Sequence, residues 1–165
     1  MRRLVLFTSI LLLGLSIGCA RHETPPVKDV QPAKATDQSG KAFDIKAEPI
    51  RRVKQWQPAE GGNIMLTRGV SMKMINGSMM GLEAEPNFEL AVIKLNVTRL
   101  ADGASLSLDD VSAYDDKGKK FPSAVGGLPA LGKEASESRE FAFAVPTGAL
   151  LKKIELAKDV SIDLK

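Results

Sequence analysis

An antiparallel β-sandwich of about seven strands is the fold predicted by this 165-residue sequence. Three observations predict it. Short apolar alternations of period two recur from about Ile50 to the C-terminus. Turn residues separate them, notably Asn76-Gly77, Asp102-Gly103 and the Gly118 of DDKGKK. No segment of this region carries a sustained helical stripe with caps, and the best, Thr147 to Lys153, amounts to one turn. A chain of this size buries a sufficient core without disulfides.

The N-terminus, MRRLVLFTSILLLGLSIGCA, precedes that fold. Arg2 and Arg3 form a basic head, and Leu4 to Ile17 is almost wholly apolar but shorter than the roughly 20 residues of a spanning helix. This is the layout of a secretory signal. The end of it, LSIGC, resembles the lipobox of bacterial lipoproteins. The resemblance implies that residues 1–18 are removed and that Cys19 is thioether-linked to diacylglycerol and acylated. The other reading of the same residues is cleavage after Ala20, because Gly18 and Ala20 satisfy the small-x-small rule. Cys19 is the only cysteine. An intramolecular disulfide is thereby excluded, and a lipid cap accounts for a lone thiol in an oxidising compartment.

Loss of the signal also removes two basic residues and lowers the formal charge from +3 to +1. A near-neutral, mixed-charge domain gives no argument for a nucleic-acid partner, which would want a basic face. The expected partners are the membrane, through lipidated Cys19, and a protein of the envelope. Ala20 stands where inner-membrane retention wants aspartate. The outer membrane, facing the periplasm, is therefore the expected location in a cell with two membranes.

Residues 19–48 read as the lipidated cysteine and a flexible tether. Pro25, Pro26 and Pro32 interrupt a stretch with few apolar side chains and no period. The sandwich is expected over 49–165. Within it, Phe88, Leu90 and Val92 alternate in one register, and Ile93, Leu95 and Val97 in the other. The change of phase predicts a β-bulge or a change of strand partner between Val92 and Ile93. Leu106 and Leu108 open a further short strand. Phe141, Phe143 and Val145 form another, closed by Pro146, and Val160, Ile162 and Leu164 form the last.

Three pieces of the domain resemble the immunoglobulin-like (telokin-like) domains of secreted bacterial lipoproteins of unassigned function. They are AVIKLNVTRLADG (Ala91 to Gly103), DVSAYDDKGKKFPS (Asp110 to Ser123) and LGKEASESREFAFAVPTG (Leu131 to Gly148). The resemblance implies an immunoglobulin-like sandwich with Ile93, Leu95, Val97, Phe141, Phe143 and Val145 in its core. It carries no catalytic motif.

The chemistry-bearing residues are few. His22, the only histidine, and Cys19 both fall outside the predicted sandwich, so no Ser-His-Asp or Cys-His arrangement is expected in it. The acid pairs Asp109-Asp110 and Asp115-Asp116 would suit a hydrolase, but neighbouring strand residues face opposite ways and these pairs flank turns. They read as solvated turn acids. DDKGKK lacks the alternating acids of a calcium loop. Trp56 reads as a cover for one end of the core, and Arg51, Arg52 and Lys54 as a solvated strand face. Asn96-Val97-Thr98 fits a glycosylation acceptor by its letters alone and carries no weight in a bacterial lipoprotein.

The stretch MKMINGSMM, Met72 to Met80, holds four of the six methionines. It predicts a hairpin with Asn76-Gly77 at its tip and Met72, Met74 and Met79 or Met80 on one face. Methionine fills irregular core space, so a buried hairpin is the first expectation. Thioethers are also soft ligands, and envelope copper binding through this hairpin is the alternative. The expected function is that of a lipid-anchored, non-enzymatic binding or scaffolding domain, acting through sheet edges or end loops such as Gly126 to Gly132, with no cofactor and no resident metal.

Overall fold

The computed structural model describes residues 35–37, 42–58, 62–75, 79–158 and 160–164. The predicted signal, Cys19, His22 and the predicted Asn76-Gly77 tip lie outside the described residues. Those described form strands, turns and loops without a helix. In chain order the strands are β1 (Ala35–Asp37), β2 (Phe43–Ala47), β3 (Arg51–Val53), β4 (Gln55–Trp56), β5 (Asn63–Ile64), β6 (Val70–Ile75), β7 (Met79–Ala84), β8 (Phe88–Arg99), β9 (Ser112–Asp115), β10 (Lys120–Pro122), β11 (Val125–Gly126), β12 (Ser136–Pro146), β13 (Leu151–Ala157) and β14 (Val160–Asp163). All pairings are antiparallel.

Two sheets make the sandwich. One runs β1-β14-β13-β9-β10, and the other is β12-β8-β2, with β3 also on β8. Their facing sides bury Ile45, Ile93, Leu95, Val97, Phe141, Phe143 and Val145 against Ala113, Phe121, Ile154, Leu156 and Ile162. The six core residues implied by the family resemblance are all at most 2% exposed.

The change of phase in β8 has a specific cause. The β8–β12 register runs unbroken from Phe88↔Pro146 to Thr98↔Ser136, so no bulge interrupts that pairing. The other edge of β8 does change partner, from β3 over Leu90–Val92 to β2 over Leu95–Arg99. Both faces of β8 are also buried in the middle. Ala91 and Ile93 face the main core, while Leu90 and Val92 join a second cluster with Ala142, Ala144, Trp56, Val70 and Leu82. That cluster belongs to a three-stranded sheet, β4-β7-β6, laid on the outer side of the central sheet. A strand covered on both sides reads as a continuous apolar run.

The sandwich begins upstream of the expected boundary at residue 49. β2 pairs with β8 from Phe43↔Arg99 to Ala47↔Leu95, and Ile45 and Ala47 are buried. Farther upstream, the backbone of β1 pairs with β14. One more expectation needs correction. Leu106 and Leu108 are buried, but Leu106 makes only an isolated bridge to Leu131 instead of opening a strand. From Thr147 the chain makes a β-turn, with the Ala149 N–H donating to the Pro146 carbonyl at 3.0 Å, and enters β13.

Two turns follow the reading from sequence. Gly103 and Gly118 have φ of 72° and 76°, a region that suits glycine. A turn not anticipated lies at Glu85-Pro86-Asn87-Phe88, where Asn87 has φ 68° and the Phe88 N–H donates to the Glu85 carbonyl. Proline then asparagine is the pattern of a type II turn.

Candidate functional site: the methionine hairpin

The hairpin predicted around Asn76-Gly77 forms, with β6 and β7 in register from Val70↔Ala84 to Ile75↔Met79. Met72, Met74 and Met80 project from it and do not pack inside. They are 46%, 60% and 49% exposed, which overturns the expectation of a core-packed hairpin. Directly opposed residues of an antiparallel pair share a face, as do residues two apart on a strand. Val70, Met72, Met74, Met80, Leu82 and Ala84 therefore lie on one apolar face. Its inner end, Val70, Leu82 and Ala84, is buried with Trp56 in the second cluster. Its outer end carries the three methionines beyond that cover. Trp56 thus covers a core, as expected, but the smaller one.

The other face carries the charged pair of the hairpin. The Lys73 ammonium donates to Glu83 at 2.8 Å, and the Gln55 amide donates to the same carboxylate at 2.7 Å. These two hydrogen bonds, lysine first, hold the Glu83 carboxyl below its ordinary range. Gly81 makes the close packing there feasible: a Cβ on it would lie 2.2 Å from the Ile75 Cδ1 and 2.9 Å from the Trp56 carbonyl. Among the described residues β6 pairs with β7 alone, and Ser71, Met72, Lys73 and Met74 are all exposed.

The acid pairs act as turn formers. Asp115 Oδ1 accepts the N–H groups of Lys117 and Lys119 at 2.9 and 2.8 Å and so closes the Gly118 turn. Asp109 accepts the Ser107 hydroxyl, and Asp110 is exposed. Asp115 and Asp116 line an open cleft of about 460 Å³ between this turn and residues 146–150. Among the described residues no three His, Cys, Asp or Glu side chains are grouped to hold a metal. In the basic cluster, Arg51 pairs with Glu140 and Arg52 with Glu89, each at 2.6 Å, and Lys54 donates to the Phe88 carbonyl. The loop over 126–132 is partly internal, with Gly126, Leu131 and Gly132 buried.

One titration offers a check on the packing of β9 against β13. Tyr114, the only tyrosine, has its phenol pushed up first by burial and next by the Glu155 carboxylate. The folded state thus favours the neutral phenol. The stability this gives is complete below the unfolded pKa and is lost as pH rises through the folded one. Absorbance titration is expected to place the folded midpoint above that of the same chain in urea. Coincident midpoints would show that neither burial nor Glu155 acts on the phenol.

No protein-family model matches the chain, and no curated protein matches it. One solved structure is similar, an uncharacterized β-sandwich protein from Clostridium difficile 630. It is 11% identical, with a TM-score of 0.44 over 82% of this chain and 90% of that one.

Proposed function

We propose that this chain is a lipid-anchored protein of the cell envelope whose sandwich, immunoglobulin-like in kind, is a non-enzymatic binding or scaffolding module. The observation that carries the reading is the edge at β6, which pairs with β7 alone among the described residues. Its backbone groups offer an extended segment of a partner a place to add as a further strand, and exposed methionines adapt to varied side chains. The loop over 126–132 offers less, because much of it is internal. Lipidated Cys19, with roughly two or more acyl chains, supplies a stable anchor. The face toward the periplasm is the one that such an anchor in an outer membrane would serve.

Two measurements test this. Palmitate labelling is expected in the wild type and lost in Cys19→Ala; unchanged labelling removes the anchor from the reading. A photo-crosslinking residue in place of Lys73 is expected to capture a discrete partner in the native envelope, and one in place of Lys117 is not. Equal capture at both positions, or none, counts against binding at β6. A second reading, an envelope copper-binding protein using the Met72–Met80 hairpin, is favoured by the exposure of Met72, Met74 and Met80.

A further inference from the structure

Core filling explains a methionine that is buried, and these three are not. We infer that Met72, Met74 and Met80 together form a coordination site for a univalent thiophilic ion, Cu(I) or Ag(I). The inference rests on the copper reading and gives that reading its ligands and its class of ion. Met74 and Met80 are directly opposed in the β6–β7 register. Their Cα atoms are therefore about 4.5–5.5 Å apart, and Met72 stands one pleat along at roughly 7 Å from Met74. Each side chain has three rotatable bonds, so the three sulfurs can swing onto one ion above the sheet. Of the two C-terminal methionines of the stretch, Met80 is the one that the register sets opposite Met74.

The surroundings select the ion. Every position of this face between Val70 and Ala84 named above is apolar, so it supplies no carboxylate or imidazole. The one charged pair of the hairpin, Lys73 with Glu83, belongs to the opposite face. Three neutral thioethers match a soft, singly charged ion. They offer nothing to offset the desolvation of Zn(II) or Cu(II), which favour imidazole, thiolate or carboxylate. Buried Leu82, opposite Met72, fixes the inner end of the face, so the site stands on a paired strand and not on a loose loop.

The test uses the full-length chain in detergent, carrying Cys19→Ser to remove its only thiol, with methionine methyl groups labelled for NMR. It is titrated with Ag(I), with Cu(I) kept reduced by ascorbate, and with Zn(II). The methyl signals of Met72, Met74 and Met80 are expected to move together and saturate at about one equivalent of either univalent ion, as one three-thioether site requires. That of Met65 is expected to stay, and Zn(II) to move none. Met74→Leu and Met80→Leu, exposed and similar in volume, are expected to keep the circular dichroism of the parent and to weaken binding about tenfold or more. Cu(I) binding that leaves these three signals in place, or that both variants retain in full, overturns the ligand assignment while a copper role stands. Failure of both ions to bind overturns the copper reading itself.

Discussion

Ile45→Ala is expected to cost about 2–5 kcal/mol of folding stability, the range for truncating a fully buried aliphatic side chain. Ile45 is 1% exposed and lies opposite Val97 in the β2–β8 register, within the main core. The same argument extends to the whole strand. A chain beginning at Ala42 keeps β2 and is expected to unfold cooperatively in urea. One beginning at Pro49 leaves the β2 edge of β8 from Leu95 to Arg99 unpaired and removes Ile45 and Ala47 from the core. It is expected to lose the cooperative transition. Denaturant curves read both. An Ile45→Ala change within about 0.5 kcal/mol, the scale of a surface substitution, would mean that the segment lies outside the folded unit.

That segment illustrates what the sequence made legible and what it hid. FDIKA alternates Phe43, Ile45 and Ala47, a clean period of two. Its brevity, and the proline-rich stretch before it, made it read as tether. β13 was hidden differently. Leu151, Ile154 and Leu156 are all buried, yet the first two are three apart because the register shifts between Leu151 and Lys153. A second shift falls between Glu155 and Ala157. Bulges break the alternation by which a strand is recognised, so LKKIELA does not read as a strand. By contrast, β12 and β14 showed themselves because each buries alternate residues against the facing sheet.

The candidate site was half legible. Local sequence specified the hairpin, since Asn-Gly between two alternating runs is a local signal. Burial is not local. Whether Met74 packs or projects depends on how far the sheet beneath it extends, and the cover given by Leu90, Val92, Ala142 and Ala144 ends at Leu82. Nothing within MKMINGSMM encodes that limit. The partner change on β8 was readable for the opposite reason: a strand buried on both faces leaves its mark in its own residues.

The second large effect is expected at Arg52. Its guanidinium donates to Glu89 Oε1 at 2.6 Å and to the Ala149 carbonyl at 2.7 Å, and the same Glu89 oxygen accepts the Gly148 N–H at 3.1 Å. Both side chains are 17% exposed. One ion pair thus ties β3 and β8 to the turn that leads into β13. Removing either partner strands the other charge where water reaches it poorly. Arg52→Met and Glu89→Gln are each expected to cost about 2–3 kcal/mol, below the figure for a fully buried pair because some solvent remains. The double variant is expected to cost less than the two singles added, since neither charge is left alone. Arg51 with Glu140 is the internal control: the same length, but Arg51 is 57% exposed, so Arg51→Met is expected to cost under about 1 kcal/mol. Hydrogen exchange gives a local reading, with the Gly148 amide expected to exchange faster in Arg52→Met and unchanged in Arg51→Met. Equal costs at the two arginines would show that burial does not set the worth of these pairs.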